Sequence, residues 1–175
     1  MPEHRDGTPP AFRELESFLW HDFEDRPAVW HGWLQHRNYR TSEAAASASF
    51  ADARRLHVAL RTLQAAHNDQ ERATRDDICA RGTLNQLTEQ SRIRPFLDVD
   101  GIVCLTAPDV DEPAALLLIE ALEAMRLGLW RRFKLCREAT CRASFYDASK
   151  AAGKVWCEMT TCGSRNKMRR YRAHG

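Results

Sequence analysis

The first 133 residues of this chain contain no lysine; the four that occur lie at or beyond Lys134. No apolar run approaches the roughly 20 residues that a membrane-spanning helix requires, and the leucine-rich run at residues 116–119 is four long. A glycine-rich phosphate loop is missing, as is any Ser/His/Asp or Cys/His set at a recognisable spacing, so an enzyme is not expected. There is no internal repeat and no low-complexity segment. No proline- or glycine-rich linker separates the C-terminal part from the rest, which is therefore expected to sit rigidly on it. Residues 1–10 are polar and carry proline, without the apolar core of a secretory signal. They are expected to form a flexible tail on a cytoplasmic protein, where a reducing environment makes disulfides a poor default.

What is present has the balance of a folded protein, with 43% hydrophobic and 29% charged residues over 175 positions, enough for one ordinary domain and a small second unit. The net charge of +2 conceals a strong asymmetry. Residues 126–175 hold 13 of the 26 basic residues but three of the 24 acids, a net +10, which leaves −8 on the first 125. A basic end on an acidic body points to a polyanionic partner for that end.

The periodicity reads mainly as α. Residues 11–23 and 27–39 are short helices, the second opening on Pro27 at a first-turn position. Residues 43–67 carry Phe50, Ala53, Leu56, Leu60 and Leu63 at three-to-four spacing, with Asp69 near its end. Thr74 followed by Asp77 has the spacing of a capping box and starts a helix through Ile78, Leu84 and Leu87. The period then changes: 93–97 and 102–105 flank Asp98-Val99-Asp100-Gly101 as a β-hairpin. Asp111 and Pro113 open a long helix through Leu117, Leu118, Ala121, Leu122, Met125 and Leu129, apolar on nearly all sides in its first half. These elements divide the chain into the tail (1–10), a helical N-terminal domain with a short β-hairpin (11–130) and a small C-terminal zinc finger of hairpin and helix (131–175).

The finger rests on Cys136-x4-Cys141-x15-Cys157-x4-Cys162. Two close pairs separated by a loop can surround a tetrahedral zinc ion with thiolates, and four protein ligands leave no open position for catalysis. Two disulfides are the competing reading. The 15 residues between the pairs suit a hairpin with Phe145, Tyr146, Val155 and Trp156 at its ends. So small a unit buries little, and a structural zinc would supply folding energy on the order of 10 kcal/mol. Arg137, Arg142, Lys150, Lys154 and Arg165 offset the thiolate charge. Cys79 and Cys104 stand alone and read as buried, reduced residues.

After the last ligand, Cys162-Gly163-Ser164-Arg165-Asn166-Lys167-Met168-Arg169-Arg170-Tyr171-Arg172 reads as a helix begun at the metal. Met168 and Tyr171 share a face and should pack on the hairpin. Arg165, Asn166, Lys167, Arg169, Arg170 and Arg172, with Lys154, are the candidate nucleic-acid contacts, since arginine and lysine neutralise phosphates and Arg and Asn also read base edges. Solvation and thiolate balance are the plainer explanation of the same charges.

These residues, together with Phe145, Asp147, Ser149, Trp156-Cys157 and Met159, resemble the CGNR zinc finger. That finger usually follows a helical domain named ABATE, in a bacterial family grouped as stress-induced transcription regulators. The long helix before the cysteines and the Asp-Gly hairpin at 93–105 resemble that domain in pattern. The resemblance implies a zinc-dependent DNA-binding regulator responsive to stress or a ligand. Two departures stand out: Ser164 occupies the signature Asn position, and Ser17-Phe18-Leu19-Trp20-His21-Asp22-Phe23 replaces the family's apolar Asn-Thr opening.

In the body, Trp20, Trp30 and Trp33 cluster with His21, His31 and His36. They read either as core or as the lining of a small-molecule effector pocket, with a histidine metal site the weakest reading. The expected whole is a transcriptional regulator holding one structural zinc ion and contacting DNA. RNA binding or a protein–protein adaptor role is the alternative. A homodimer is attractive, because one finger offers little contact area.

Overall fold

The computed structural model describes residues 7–21, 23, 26–39, 41–68, 74–108 and 112–174. Asp22, Asp69, Asp111 and residues 1–6 of the expected tail lie outside them. Among the described residues there are six α-helices and two two-stranded antiparallel sheets. In chain order they are α1 (Arg13–Trp20), α2 (Pro27–His36), α3 (Glu43–Ala65), α4 (Arg75–Gln90), β1 (Arg94–Leu97), β2 (Val103–Thr106), α5 (Pro113–Arg126), β3 (Phe133–Leu135), β4 (Ser144–Tyr146) and α6 (Ser164–His174). No helix among them is long and apolar enough to cross a membrane.

Local chemistry sets the boundaries. Ser42 caps α3 by accepting the Ala45 amide at 3.2 Å. The Thr74/Asp77 capping box of α4 is present in both directions: the Thr74 hydroxyl accepts the Asp77 amide at 3.2 Å and Asp77 accepts the Thr74 amide at 2.7 Å. Helix α5 opens on Pro113, with the Glu112 carboxylate accepting two first-turn amides. It stops at Arg126 and not at Leu129, because Gly128 takes φ +71° and the Leu129 amide turns back to the Ala124 carbonyl at 2.8 Å. Helix α2 likewise ends at His36, with Asn38 at φ 61°; α1 ends at Trp20, ahead of the expected Phe23. In the β1–β2 turn the Asp98 carboxylate accepts the amides of Asp100 and Ile102.

Helices α1, α2, α3 and α5 enclose the main core, with α4 against α3. Leu117, Leu118, Ala121 and Ala124 are buried, which makes α5 the central helix that its apolar first half predicts. Trp30 (0% exposed) stacks on Trp33 (4%) at 5.3 Å between ring centroids, among Phe18, Phe23 and His57. Their indole N–H groups donate to Ser49 and Ser17. These two tryptophans are core side chains, while Trp20 is half-buried at the end of α1. Ile78 is 63% exposed, on the outer side of α4. Cys79 is exposed beside it and Cys104 half-buried, so neither has the buried position expected of it.

The presumed tail is not one throughout. Thr8 is buried and its hydroxyl donates to the Glu16 carboxylate at 2.6 Å, and a 3-10 turn, Pro10–Phe12, leads into α1. One half-buried carboxylate makes stability depend on pH. Glu120 accepts the Leu15 amide at 3.0 Å; burial, with Glu14 nearby, raises its carboxyl from 4.5 to about 7 against that opposing donation. Between these values the folded state binds more protons than the unfolded state, so stability falls as pH rises through this window. Glu120→Gln is expected to flatten that dependence and to raise the melting temperature at pH 8 by about 5 °C. Parallel melts of the two proteins at pH 5 and pH 8 check this; an equal slope in both would refute it.

Candidate metal centre and basic helix

The residues leading into the finger are built into the helical body. Strands β3 and β4 pair antiparallel with Phe133 opposite Tyr146, Lys134 opposite Phe145 and Leu135 opposite Ser144. Opposed residues share a face, so this small sheet has two different sides. On one side Phe133 (0% exposed), stacked on Trp130, and Tyr146, edge-on to Phe133, join the helical core, and Ser144 accepts from the buried Gln64 amide at 2.8 Å. Burying each aromatic contributes on the order of 2 kcal/mol. On the other side Phe145 packs with Cys136, Cys162 and Trp156. The expected hairpin between 145–146 and 155–156 does not form. Segment 144–146 pairs instead with 133–135, which supplies the matching alternation, and the Val155 carbonyl accepts the Arg137 amide at 3.0 Å.

Cys136 follows β3 directly, its amide donating to the Ala143 carbonyl at 2.8 Å. The two ligand turns are organised alike. The Glu138 carbonyl accepts the Cys141 and Arg142 amides while its carboxylate accepts the Thr140 hydroxyl at 3.2 Å. The Glu158 carbonyl accepts the Cys162 and Gly163 amides while its carboxylate accepts the Thr160 hydroxyl at 3.0 Å. The second turn, Met159–Gly163, is a widened π-type turn that continues without a break into α6. Gly163 has no room for a side chain: a Cβ there would sit 2.5 Å from Met159 Sδ and 3.2 Å from Trp156 Cδ1.

The four sulfurs lie within 4.8 Å of one another, with Cys141–Cys157 and Cys157–Cys162 each at 3.7 Å. Sulfurs about 2.3 Å from a tetrahedral zinc are separated by about 3.8 Å. None is in a disulfide. Burial and the three neighbouring sulfurs push the Cys162 thiol far up; at Cys141 burial is outweighed by the Ala143 amide and the other sulfurs, which hold it down. Four thiolates this close cannot all ionise without a cation, and a divalent soft metal is the charge that this donor set fits.

A buried carboxylate organises the loop between the pairs. Asp147, 0% exposed, accepts from Lys134 Nζ at 2.9 Å, from the Ser149 hydroxyl and amide at 2.6 and 3.0 Å, and from the Lys154 amide at 2.8 Å. Burial raises its carboxyl, but these donors outweigh that and hold it down at about 2. Lys134 also donates to the Ala152 and Lys154 carbonyls, so this first lysine of the chain is an interior residue.

Helix α6 departs from its expected packing. Met168 is 53% and Tyr171 78% exposed, so neither docks on the sheet. The helix is held instead by Arg169, whose guanidinium forms a two-pronged pair with the buried Glu138 carboxylate at 3.0 and 2.8 Å. The Arg169 pairing holds the Glu138 carboxyl below its usual range. Arg169, counted among the nucleic-acid contacts, thus has an internal partner. Arg165, Lys167, Arg170 and Arg172 are exposed, Asn166 is half-buried, and Lys154 is exposed on the loop that Asp147 organises. Arg165, Arg169 and Arg172 line an open groove of about 700 Å³ together with Thr140, Thr160 and Ser164. Glu138 escaped the sequence reading, and Asp147 entered it only as part of the resemblance, although a signal was there: they are two of only three acids in a stretch of net +10.

Comparison with curated proteins gives no match. Residues 132–174 match the family model of the CGNR zinc finger, and the four cysteines gathered within that stretch hold one structural zinc ion.

Proposed function

We propose that the protein is a zinc-dependent, DNA-binding transcriptional regulator of the bacterial cytoplasm, with its helical body in the sensing role of an ABATE-like, stress-responsive domain. It is not an enzyme on this reading: the zinc has four protein ligands and no position for substrate or water. The observation that carries the proposal is α6 itself. Eleven residues long, it has no acid on it, and it presents Arg165, Lys167, Arg170 and Arg172 to solvent from a base fixed by the metal. Such a helix neutralises phosphates and has the dimensions of a major-groove reader.

The test is selection of duplex DNA from a random pool by the zinc-loaded protein, repeated at rising salt. An enriched motif that survives about 150 mM salt is expected, and its symmetry would report whether a dimer reads paired half-sites. Arg170→Gln should weaken binding to all sequences and lower the salt slope by about 1. Binding that vanishes with salt and enriches nothing, in both proteins alike, would sink the DNA reading in favour of RNA or an acidic protein partner.

A further inference from the structure

Trp30 and Trp33 are core side chains, and the body has an opening elsewhere. A cleft of about 410 Å³ lies where the C-terminal ends of α3 and α5 meet the face of α4. That volume is in the range of small-molecule sites. Its floor is apolar: Leu63, Leu122 and Met125 are only partly buried there, beside the buried Leu84 and Trp130. Its rim carries Arg81 from α4 and Arg131 from the turn after α5, both exposed. Neither arginine is paired with a carboxylate among the described residues. The one acid in the lining, Asp77, is buried and already accepts the Thr74 amide as part of the capping box. The remaining polar groups are Asn85 and His67. Burial lowers the His67 pKa against the raising effect of its hydrogen bond to the Phe133 carbonyl, and Arg131 and Lys134 lower it further. Among the described residues, two guanidinium groups against one engaged carboxylate leave the rim net positive above an oily floor.

We propose that this cleft binds an amphipathic carboxylate, a molecule with an apolar body of roughly eight to twelve heavy atoms and one carboxylate held by Arg81 and Arg131. The guanidinium fork suits a carboxylate by geometry as well as charge. The proposal rests on the reading of the helical body as the sensing part, and it gives that part a site and a ligand class. The cleft is also wired to the finger. His67 Nδ1 donates to the Phe133 carbonyl at 2.6 Å, and Trp130 stacks on the Phe133 ring at 5.6 Å. A ligand touching His67 and Trp130 therefore touches the two side chains that seat β3, three residues before the first zinc ligand.

The test uses the zinc-loaded full chain without DNA, so that its failure is separate from failure of the DNA reading. Octanoate is titrated calorimetrically, with octan-1-ol as the same chain lacking the charge. Saturable one-to-one binding of octanoate is expected, with octan-1-ol weaker by about tenfold or more, the worth of a charge-assisted hydrogen bond. The Arg81→Gln/Arg131→Gln double variant changes exposed side chains only and should lose affinity by a similar factor with its zinc content intact. Leu122→Trp, which fills the floor, should abolish binding of both probes. Absence of saturable octanoate binding at about 2 mM, equal affinity for the alcohol, or full affinity in the double variant would each overturn the proposal.

Discussion

Stripping the zinc with a strong chelator is expected to abolish amide protection in the second ligand turn and α6, while α1–α5 and the β3–β4 pairing stay folded. The asymmetry follows from where the buried surface lies. The cluster around the metal consists of Cys136, Phe145 and Cys162, with Cys141, Trp156 and Cys157 against it, so four of its six members are ligands. Without the ion these sulfurs repel or protonate, and little else holds residues 155–174. An 11-residue helix is marginal alone, and no residue of α6 whose side chain is described is buried. A structural zinc contributes on the order of 10 kcal/mol to such a unit, far beyond what its other contacts supply. β3 and β4 should survive because Phe133 and Tyr146 belong to the helical core. Hydrogen exchange read by mass spectrometry before and after chelation gives the map, and far-UV circular dichroism should fall by roughly the share of one short helix. Unchanged exchange in 155–174 would contradict the metal centre as the source of the finger's order.

Glu138→Ala is expected to weaken nucleic-acid binding by about tenfold at low salt, although it removes a negative charge beside a basic helix. Counting charges alone predicts the opposite sign, since one acid fewer should raise affinity for phosphates. The structure predicts a loss because the Glu138 carboxylate is the group that the α6 arginine clamps. Without it α6 pivots about Cys162, and exposed cations that are no longer fixed must be ordered at binding. Anisotropy with a labelled duplex gives the affinity. Exchange rates of the α6 amides, measured without DNA, should rise in the variant whatever the helix binds. Tighter binding together with unchanged α6 exchange would show that the Arg169–Glu138 pair is incidental.

The residues differ in how openly the sequence announces them. The cysteine pairs were readable from spacing, because thiolate ligation of one ion demands local pairs. The capping box of α4 was readable because its hydrogen bonds run within three residues. Helix α5 announced its burial by being apolar around most of its surface, yet its end was misplaced because Gly128, two residues past Arg126, closes it in a left-handed conformation. What distance in sequence hides is pairing. Segment 144–146 had Val155 and Trp156 downstream as plausible partners, and nothing local says that residues 133–135 win because Phe133 also fills the helical core. Met168 and Tyr171 looked like a packing face, and amphipathic spacing cannot tell whether a surface exists to receive it. Trp30 and Trp33 share α2, but whether such a face encloses a cavity or closes on itself depends on Phe18, Phe23 and His57 from other elements.

The two-sided β3–β4 sheet has a consequence for how this chain can be cut and recombined. A finger that ends its core at its own metal can be lifted out and spliced onto another protein as a cassette. Here a cut before residue 131 would carry Phe133 and Tyr146 away with the finger, leaving a hole beside Trp130 in the donor and two bare aromatics on the transplant. Body and finger are therefore bound to diverge together: a change of side-chain volume at the end of α3 is felt three residues from the first ligand, and a change at the sheet is felt in the helices. On the proposed reading of α6 as the DNA-contacting helix, exchange of specificity between such proteins should succeed by replacing α6 residues in place, and fail by swapping whole fingers.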